Sequence, residues 1–238
     1  MKATVTLAPT SSKCKLWEPY TISALEMMRS NLDLADPAET AVFACLTTTF
    51  CCTAHIREFT VPCLDAFNPS LHIKPSNITH KKDWQGLMVT NFHLPRMKSA
   101  LIGEDVSWAQ QHGPLDPQTA FQNHLTVNNP PRDGHLFAYK HKGSYHPLTK
   151  SKFTAASSSA AKKVGIKPLQ GHSIHISSTL EYLLCNVPFD IVKIKGRWAS
   201  DTFLIYLHCH AQILAPYIQV SPPLHKSFLH CTMPPIHR

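Results

Sequence analysis

The chain has 238 residues, and 43% of them are hydrophobic, which is enough for a packed core and excludes wholesale disorder. Lys and Arg number 23 against 15 Asp and Glu, and the net charge of +8 indicates an anionic partner, with nucleic acid ahead of a membrane surface. Eight cysteines are too few for a disulfide scaffold, and we expect neither a signal peptide nor a membrane span, so reduced thiols in the cytosol or nucleus are predicted.

The first predicted element is a helix over 21–31, where apolar residues recur at helical spacing. Asp36 followed by Pro37, with Glu39 at the third helical position, predicts a second helix that runs to about Cys51. Short segments broken by Pro, Asn and Gly follow, and they predict a small antiparallel sheet built from 58–62, 71–74, 85–94 and 105–108.

Helices dominate the second half of the chain. Asp116 and the proline after it predict a helix to about Leu125, and 135–139 is predicted as a short extended piece. Thr149 caps a predicted helix that Gly165 ends. Three more helices are predicted in the last third: one over 173–185, a short one after Pro188, and one capped by Ser200.

This order of helices, a small sheet and further helices is typical of a mostly helical α+β domain. We expect one domain over 17–220, between a disordered lead-in (1–16) and a Pro-rich tail (221–238).

Three groups of residues within 170–219 carry the clearest motif. His172 and His175 stand at the start of one predicted helix, Trp198 ends the triplet Gly-Arg-Trp, and Tyr206 lies on the last predicted helix. This ordered set resembles the C-terminal half of a tyrosine recombinase catalytic domain, and above all the Crypton-like group of fungal mobile elements. In that family a His-x-x-Arg opens a buried helix, a His or Trp begins a short turn, and the nucleophilic Tyr follows.

The resemblance extends upstream and covers roughly residues 15–220. Residues 41–61 resemble the helix and turn that bring the first catalytic Arg of the family, and 94–98 resemble its mobile β-hairpin, with Lys98 as the hairpin lysine. The implied fold is a tyrosine-recombinase catalytic domain with a small antiparallel sheet. The separate N-terminal core-binding domain of the family is not expected, since the chain begins almost at the catalytic domain.

The resemblance implies DNA breaking and rejoining without a metal or another cofactor. The Tyr206 hydroxyl would attack a DNA phosphodiester, and two Arg side chains would neutralise the transition state with forked hydrogen bonds. His172 and Trp198 would donate further hydrogen bonds, and Lys98 would protonate the leaving hydroxyl.

Both Arg positions hold histidine in this sequence, namely His55 and His175. Histidine has an ordinary pKa near 6.5 and cannot fork onto one phosphate, so we expect a degenerate copy with impaired catalysis. Arg57 is an alternative replacement for the first Arg, although two residues along a helix or strand changes the face.

Two basic clusters complete the expected site, Lys140 with Lys142, and Lys193 with Lys195 and Arg197. They predict phosphate contacts with double-stranded DNA, hence a nuclear protein, with self-association on the DNA as a further expectation. Two other functions stay open: a non-catalytic DNA-binding remnant of a mobile element, and a zinc-dependent His/Cys-rich protein. No cysteine or histidine spacing matches a known zinc motif, so we predict no metal site.

Overall fold

Helix α2 (Pro37–Cys51) forms the centre of the fold, and every residue from Thr40 to Cys51 is buried. The computed structural model describes residues 19–82, 84–96, 102–168, 171–198 and 213. The buried part of this helix, Thr40–Cys51, carries no charged residue, and the Thr47 hydroxyl donates to the Phe43 carbonyl at 3.1 Å.

The start of α2 confirms the predicted cap. The Asp36 carboxylate accepts the backbone N–H groups of Ala38 and Glu39 at 2.9 and 2.8 Å. Glu39 does not reach back to the cap as a capping box would; its carboxylate accepts the backbone N–H of Asp33.

Five further α-helices are described: α1 (Ile22–Arg29), α3 (Pro117–Asn128), α4 (Lys150–Lys163), α5 (Gly171–Leu184) and α6 (Phe189–Lys195). Helix α3 packs along α2, α1 packs against α4, and α5 packs against both α2 and α6. The sequence predicts all of these helices, with ends that differ by a few residues. In the described part of the chain, none of the helices is long and apolar enough to cross a membrane.

The three-stranded antiparallel sheet has the order β1 (Ile78–Lys82), β2 (Met88–Leu94), β3 (Glu104–Ala109). Strands β2 and β3 confirm two of the predicted segments, whereas the sequence prediction misses β1. Four of the five residues of β1 are exposed, so it lacks the apolar alternation that marks a strand in sequence, and its strand character comes from pairing with β2.

The strands predicted at 58–62 and 71–74 are wrong. Val61 makes one isolated bridge to the residue before α4, and Ile73 accepts a single backbone hydrogen bond from Leu136. Phe59, Val61 and Ile73 are buried, which gives both segments an apolar signal, and Pro62 and Pro75 lack the N–H that a ladder needs.

A second sheet is the hairpin of β4 (Tyr139–His141) and β5 (Ser144–His146), and the predicted extended piece overlaps it only at Tyr139. Lys142 and Gly143 form its two-residue turn with φ of 47° and 81°. Positive φ at both positions is what a type I′ hairpin turn requires.

Four phenylalanines form the middle of the core. Phe59 contacts Phe92 and Phe137 edge to face, with ring centroids 5.8 Å apart in each case, and Phe121 closes the ring against both. Because Phe59 follows the turn at the end of α2, this cluster fixes that turn against the sheet. Residues 1–16, the helix predicted after Ser200 and the tail lie outside the described residues, so the domain bounds stay predictions.

Candidate active site

His55 lies on the turn that directly follows the central helix. After α2 ends, Thr53 takes a left-handed conformation (φ 50°), and the chain reverses into a short 3-10 helix, Ile56–Glu58. The Glu58 carboxylate accepts the backbone N–H of His55 at 3.0 Å, which holds the start of that short helix. His55 is half-buried there.

His175 and Trp198 reach the same place from the C-terminal helices. His175 lies in α5 and is only 2% exposed. Trp198 lies on the turn after α6, where its backbone N–H bonds to the Lys193 carbonyl at 3.0 Å. The Nε2 atom of His175 donates to the Gly196 carbonyl at 3.1 Å, which attaches this turn to α5.

The three rings contact one another in series, and we call this group the ring stack. The rings of His55 and His175 meet edge to face with centroids 4.2 Å apart, and His175 lies flat on Trp198 at 4.6 Å and 9°. Three of the six predicted catalytic side chains therefore lie together, although they come from separate segments of the chain.

Gly196 makes the stack sterically feasible. A Cβ at this position would lie 2.6 Å from Cδ1 of the Trp198 indole and would also overlap its Nε1. Since the φ of Gly196 is an ordinary −80°, the requirement for glycine comes from this close approach.

The guanidinium group beside the stack belongs to Arg197 and is paired. Its Nη2 lies 2.7 Å from the Glu58 carboxylate, and the two side chains are 11% and 6% exposed. Glu58 thus binds both the backbone of His55 and the charge of Arg197. Sequence reasoning misses Glu58, and the available signal is an acid three residues after His55.

Lys195 is half-buried, and its ammonium is turned towards the protein. Its ammonium donates to the Ser107 carbonyl of β3 at 3.1 Å and lies 5.0 Å from the Tyr182 ring centroid. Burial lowers the pKa of Lys195 from its ordinary value. In this arrangement the lysine attaches α6 to the edge of the sheet.

The other predicted basic residues lie nearer the surface. Lys140 and Lys142 are exposed on the β4–β5 hairpin, where the Lys140 ammonium also donates to the Val127 carbonyl at 3.2 Å. Lys193 is half-buried, and Arg57 is exposed on the short 3-10 helix.

The remaining predicted catalytic residues are only partly covered. His172 lies in the first turn of α5, and its side chain is outside the described structure. Lys98 and Tyr206 also lie outside the described residues, so their positions stay predictions.

Two buried thiols lie at the end of α2, close to the turn that carries His55. Burial raises the pKa of Cys51 to about 12 and raises that of Cys52 further, so both stay protonated at neutral pH. Among the residues that the structure describes, no group of three or more His, Cys, Asp or Glu could hold a metal ion.

Comparison with solved structures identifies the fold. The complex of FLP recombinase with a Holliday junction matches 90% of this chain and 50% of the FLP chain, with a TM-score of 0.52 and 13% identity. A Flpe–Holliday junction complex matches 84% of this chain and 47% of that one, with a TM-score of 0.52 and 14% identity. The chain therefore spans about half the length of these recombinases.

No family model and no curated protein sequence matches the chain. The structural likeness extends over most of the chain, and it agrees with the mostly helical architecture and the small antiparallel sheet. The predicted fold is confirmed: the chain has the fold of a tyrosine recombinase catalytic domain.

Proposed function

We propose that this protein is a nuclear, double-stranded DNA-binding descendant of a Crypton-like recombinase, in which strand breaking and rejoining through Tyr206 is impaired. The observation that carries the proposal is the stack of His55, His175 and Trp198 on a recombinase fold, with imidazoles at both predicted arginine positions.

The impairment follows from what the two imidazoles can donate. The Nε2–H of His175 is used by the Gly196 carbonyl, and the ring is almost completely buried. An arginine would offer two parallel N–H groups to one phosphate. Removing one preorganised donor of this kind typically lowers a rate about 10²- to 10³-fold, and two positions are affected here.

DNA binding is supported by charge rather than by the stack. The net charge is +8, and Lys140 and Lys142 project from a hairpin into solvent. These features suit contacts with the phosphate backbone of a duplex. Self-association on DNA belongs to the same proposal, by analogy with the fold.

A second candidate is a pseudoenzyme that binds DNA without any cleavage. One observation favours it: the Arg197 guanidinium beside the ring stack is held by Glu58 at 2.7 Å. A charge that is already paired contributes less to neutralising a phosphate.

Covalent trapping separates the two candidates. The full chain is incubated with a pool of randomised, nicked duplexes from which a cleaved strand diffuses away, and the adduct is measured after denaturation. We expect a trace of adduct that Tyr206→Phe abolishes, and at least about 100-fold more adduct from the double variant His55→Arg, His175→Arg.

The outcomes differ for each candidate. No adduct from either protein, with DNA binding retained, supports the pseudoenzyme. Abundant adduct from the unsubstituted chain contradicts the impairment. Absence of salt-sensitive DNA binding contradicts both candidates. A thermal melt of the double variant checks that arginine at the buried position 175 does not unfold the protein.

A further inference from the structure

The loop between β1 and β2 exposes a tryptophan almost completely. Trp84 is 95% exposed, whereas Trp108 on β3 is 3% exposed and lies in the core. Leu87 and Met88, beside Trp84 in the sequence, are 59% and 48% exposed. Tryptophan has the largest side chain, so leaving its rings in water forgoes much of the stabilisation that burial would give. Contact with a binding partner explains the exposure of Trp84.

This loop is the tip of a projecting hairpin. Lys82 pairs with Met88 as the last pair of β1 and β2, so the described residues 84–87 belong to the tip. Strand β3 ends at Ala109, which pairs with Val89 one residue earlier. The hairpin therefore extends past its neighbouring strand and presents Trp84 beyond the sheet.

The flanks of the tip are basic. Lys81 and Lys82 are exposed, and the sequence supplies one acid, Asp83, before Trp84. Lysines on an edge strand also prevent strand pairing between molecules, which explains the lysines without any partner. That explanation does not account for Trp84, which adds an exposed apolar surface where a polar residue would serve.

The tip and the candidate active site can reach one DNA molecule. Ser107, whose carbonyl binds Lys195, lies in register with Asn91, which in turn pairs with Thr79 on β1. Lys82 lies three residues further along β1, which is roughly 10 Å at strand spacing.

We propose that this tip binds an unpaired nucleobase, as found in gapped, branched or single-stranded DNA, by stacking it on the indole of Trp84. Lys81 and Lys82 contact the flanking phosphates. An intact duplex covers both faces of each base with its neighbours, so only an unstacked base offers a free face to the indole. This inference rests on the proposed DNA-binding function and specifies the form of DNA that the protein prefers.

Binding to a gapped duplex and to an intact duplex of equal length tests the inference, with fluorescence anisotropy at several salt concentrations. We expect Trp84→Ala to weaken binding of the gapped duplex roughly 5- to 100-fold and to leave the intact duplex unchanged. Trp84→Phe should keep most of the affinity, because phenylalanine still stacks.

Ile102→Ala is the matched control, since Ile102 is 92% exposed on the loop at the other end of β2. It should change neither affinity. Because both side chains are almost fully exposed, neither substitution should lower the melting temperature, and this is checked by circular dichroism.

Equal affinity of Trp84→Ala and the unsubstituted chain for gapped DNA would overturn the inference, and so would an equal loss on both DNAs. Trp84-dependent binding to vesicles of anionic lipid, without an effect on gapped DNA, would assign the tip to a membrane instead. If the unsubstituted chain binds neither DNA, the proposed function fails too. If it binds the intact duplex but Trp84→Ala does not weaken binding of the gapped duplex, only this inference fails.

Discussion

At the scale of single residues, the carboxylate of Glu58 joins two segments that lie 139 positions apart in the chain. It accepts the N–H of His55 and the guanidinium of Arg197, and both charged groups are largely withdrawn from water. The sequence resemblance leads to His55 but not to Glu58, because the importance of this acid depends on a partner that only folding brings near.

We expect Glu58→Gln to destabilise the protein by about 3 kcal/mol, because it removes the negative charge 2.7 Å from a largely buried guanidinium. Chemical denaturation measures this loss. Asp133→Asn is the matched control, since the Asp133–Lys74 pair is 3.5 Å long and its carboxylate is 77% exposed. Its effect should stay below about 1 kcal/mol. Equal effects of the two substitutions would show that the Glu58 pair is no more important than a surface pair.

At the scale of elements, local signals predict helices better than strands. Asp36 and Asp116, each followed by proline, mark the starts of α2 and α3 because a cap acts within one turn. Strand β1 has no such signal, since Ile78–Lys82 becomes a strand only through its register with β2. The same reason explains why 58–62 and 71–74 were wrongly predicted as strands: within the described residues, neither segment pairs with a strand along its length.

The turn after α6 gives a test at this scale. Gly196→Ala should move the Trp198 indole, because the added Cβ overlaps it, and should cost about 1–3 kcal/mol of stability. Two-dimensional NMR should show a shifted indole N–H signal for Trp198 and an unchanged one for Trp108. Gly134→Ala, where the nearest atom would be 3.3 Å away, is the control. An unmoved Trp198 signal would contradict the close approach.

At the scale of the whole molecule, two buried histidines make the fold sensitive to acid. Burial lowers the pKa of His124 to about 4 and that of His135 to about 3. The unfolded chain takes up these protons near pH 6.5, whereas the folded chain does not, so stability is complete above about pH 6.5 and falls as the pH drops towards 4.

Denaturation in urea at pH 7.5, 5.5 and 4.5 measures the slope of the free energy of unfolding against pH. His135→Phe should flatten it, because in the described structure neither ring nitrogen of His135 has a hydrogen-bond partner and the ring lies 5.8 Å from Phe67. His141→Phe, at an exposed position of β4, should leave the slope unchanged. A His135→Phe protein with the original pH dependence would contradict this assignment.

The overall fold was accessible from sequence because a family pattern spans the chain, and the structural likeness agrees with it. The charge pairing was not accessible from sequence, because composition gives the number of lysines but not their positions in the fold. Lys195 is predicted as a phosphate contact, yet its ammonium lies on the Ser107 carbonyl.

That internal attachment of Lys195 has a mechanical consequence. The carbonyl it holds belongs to β3, an outer strand of the sheet, and the next three residues lead directly to the indole of Trp198. A strand and a helix end that share one anchor point are displaced together. Displacement of β3 is therefore coupled through the Lys195 ammonium to the turn that carries Trp198.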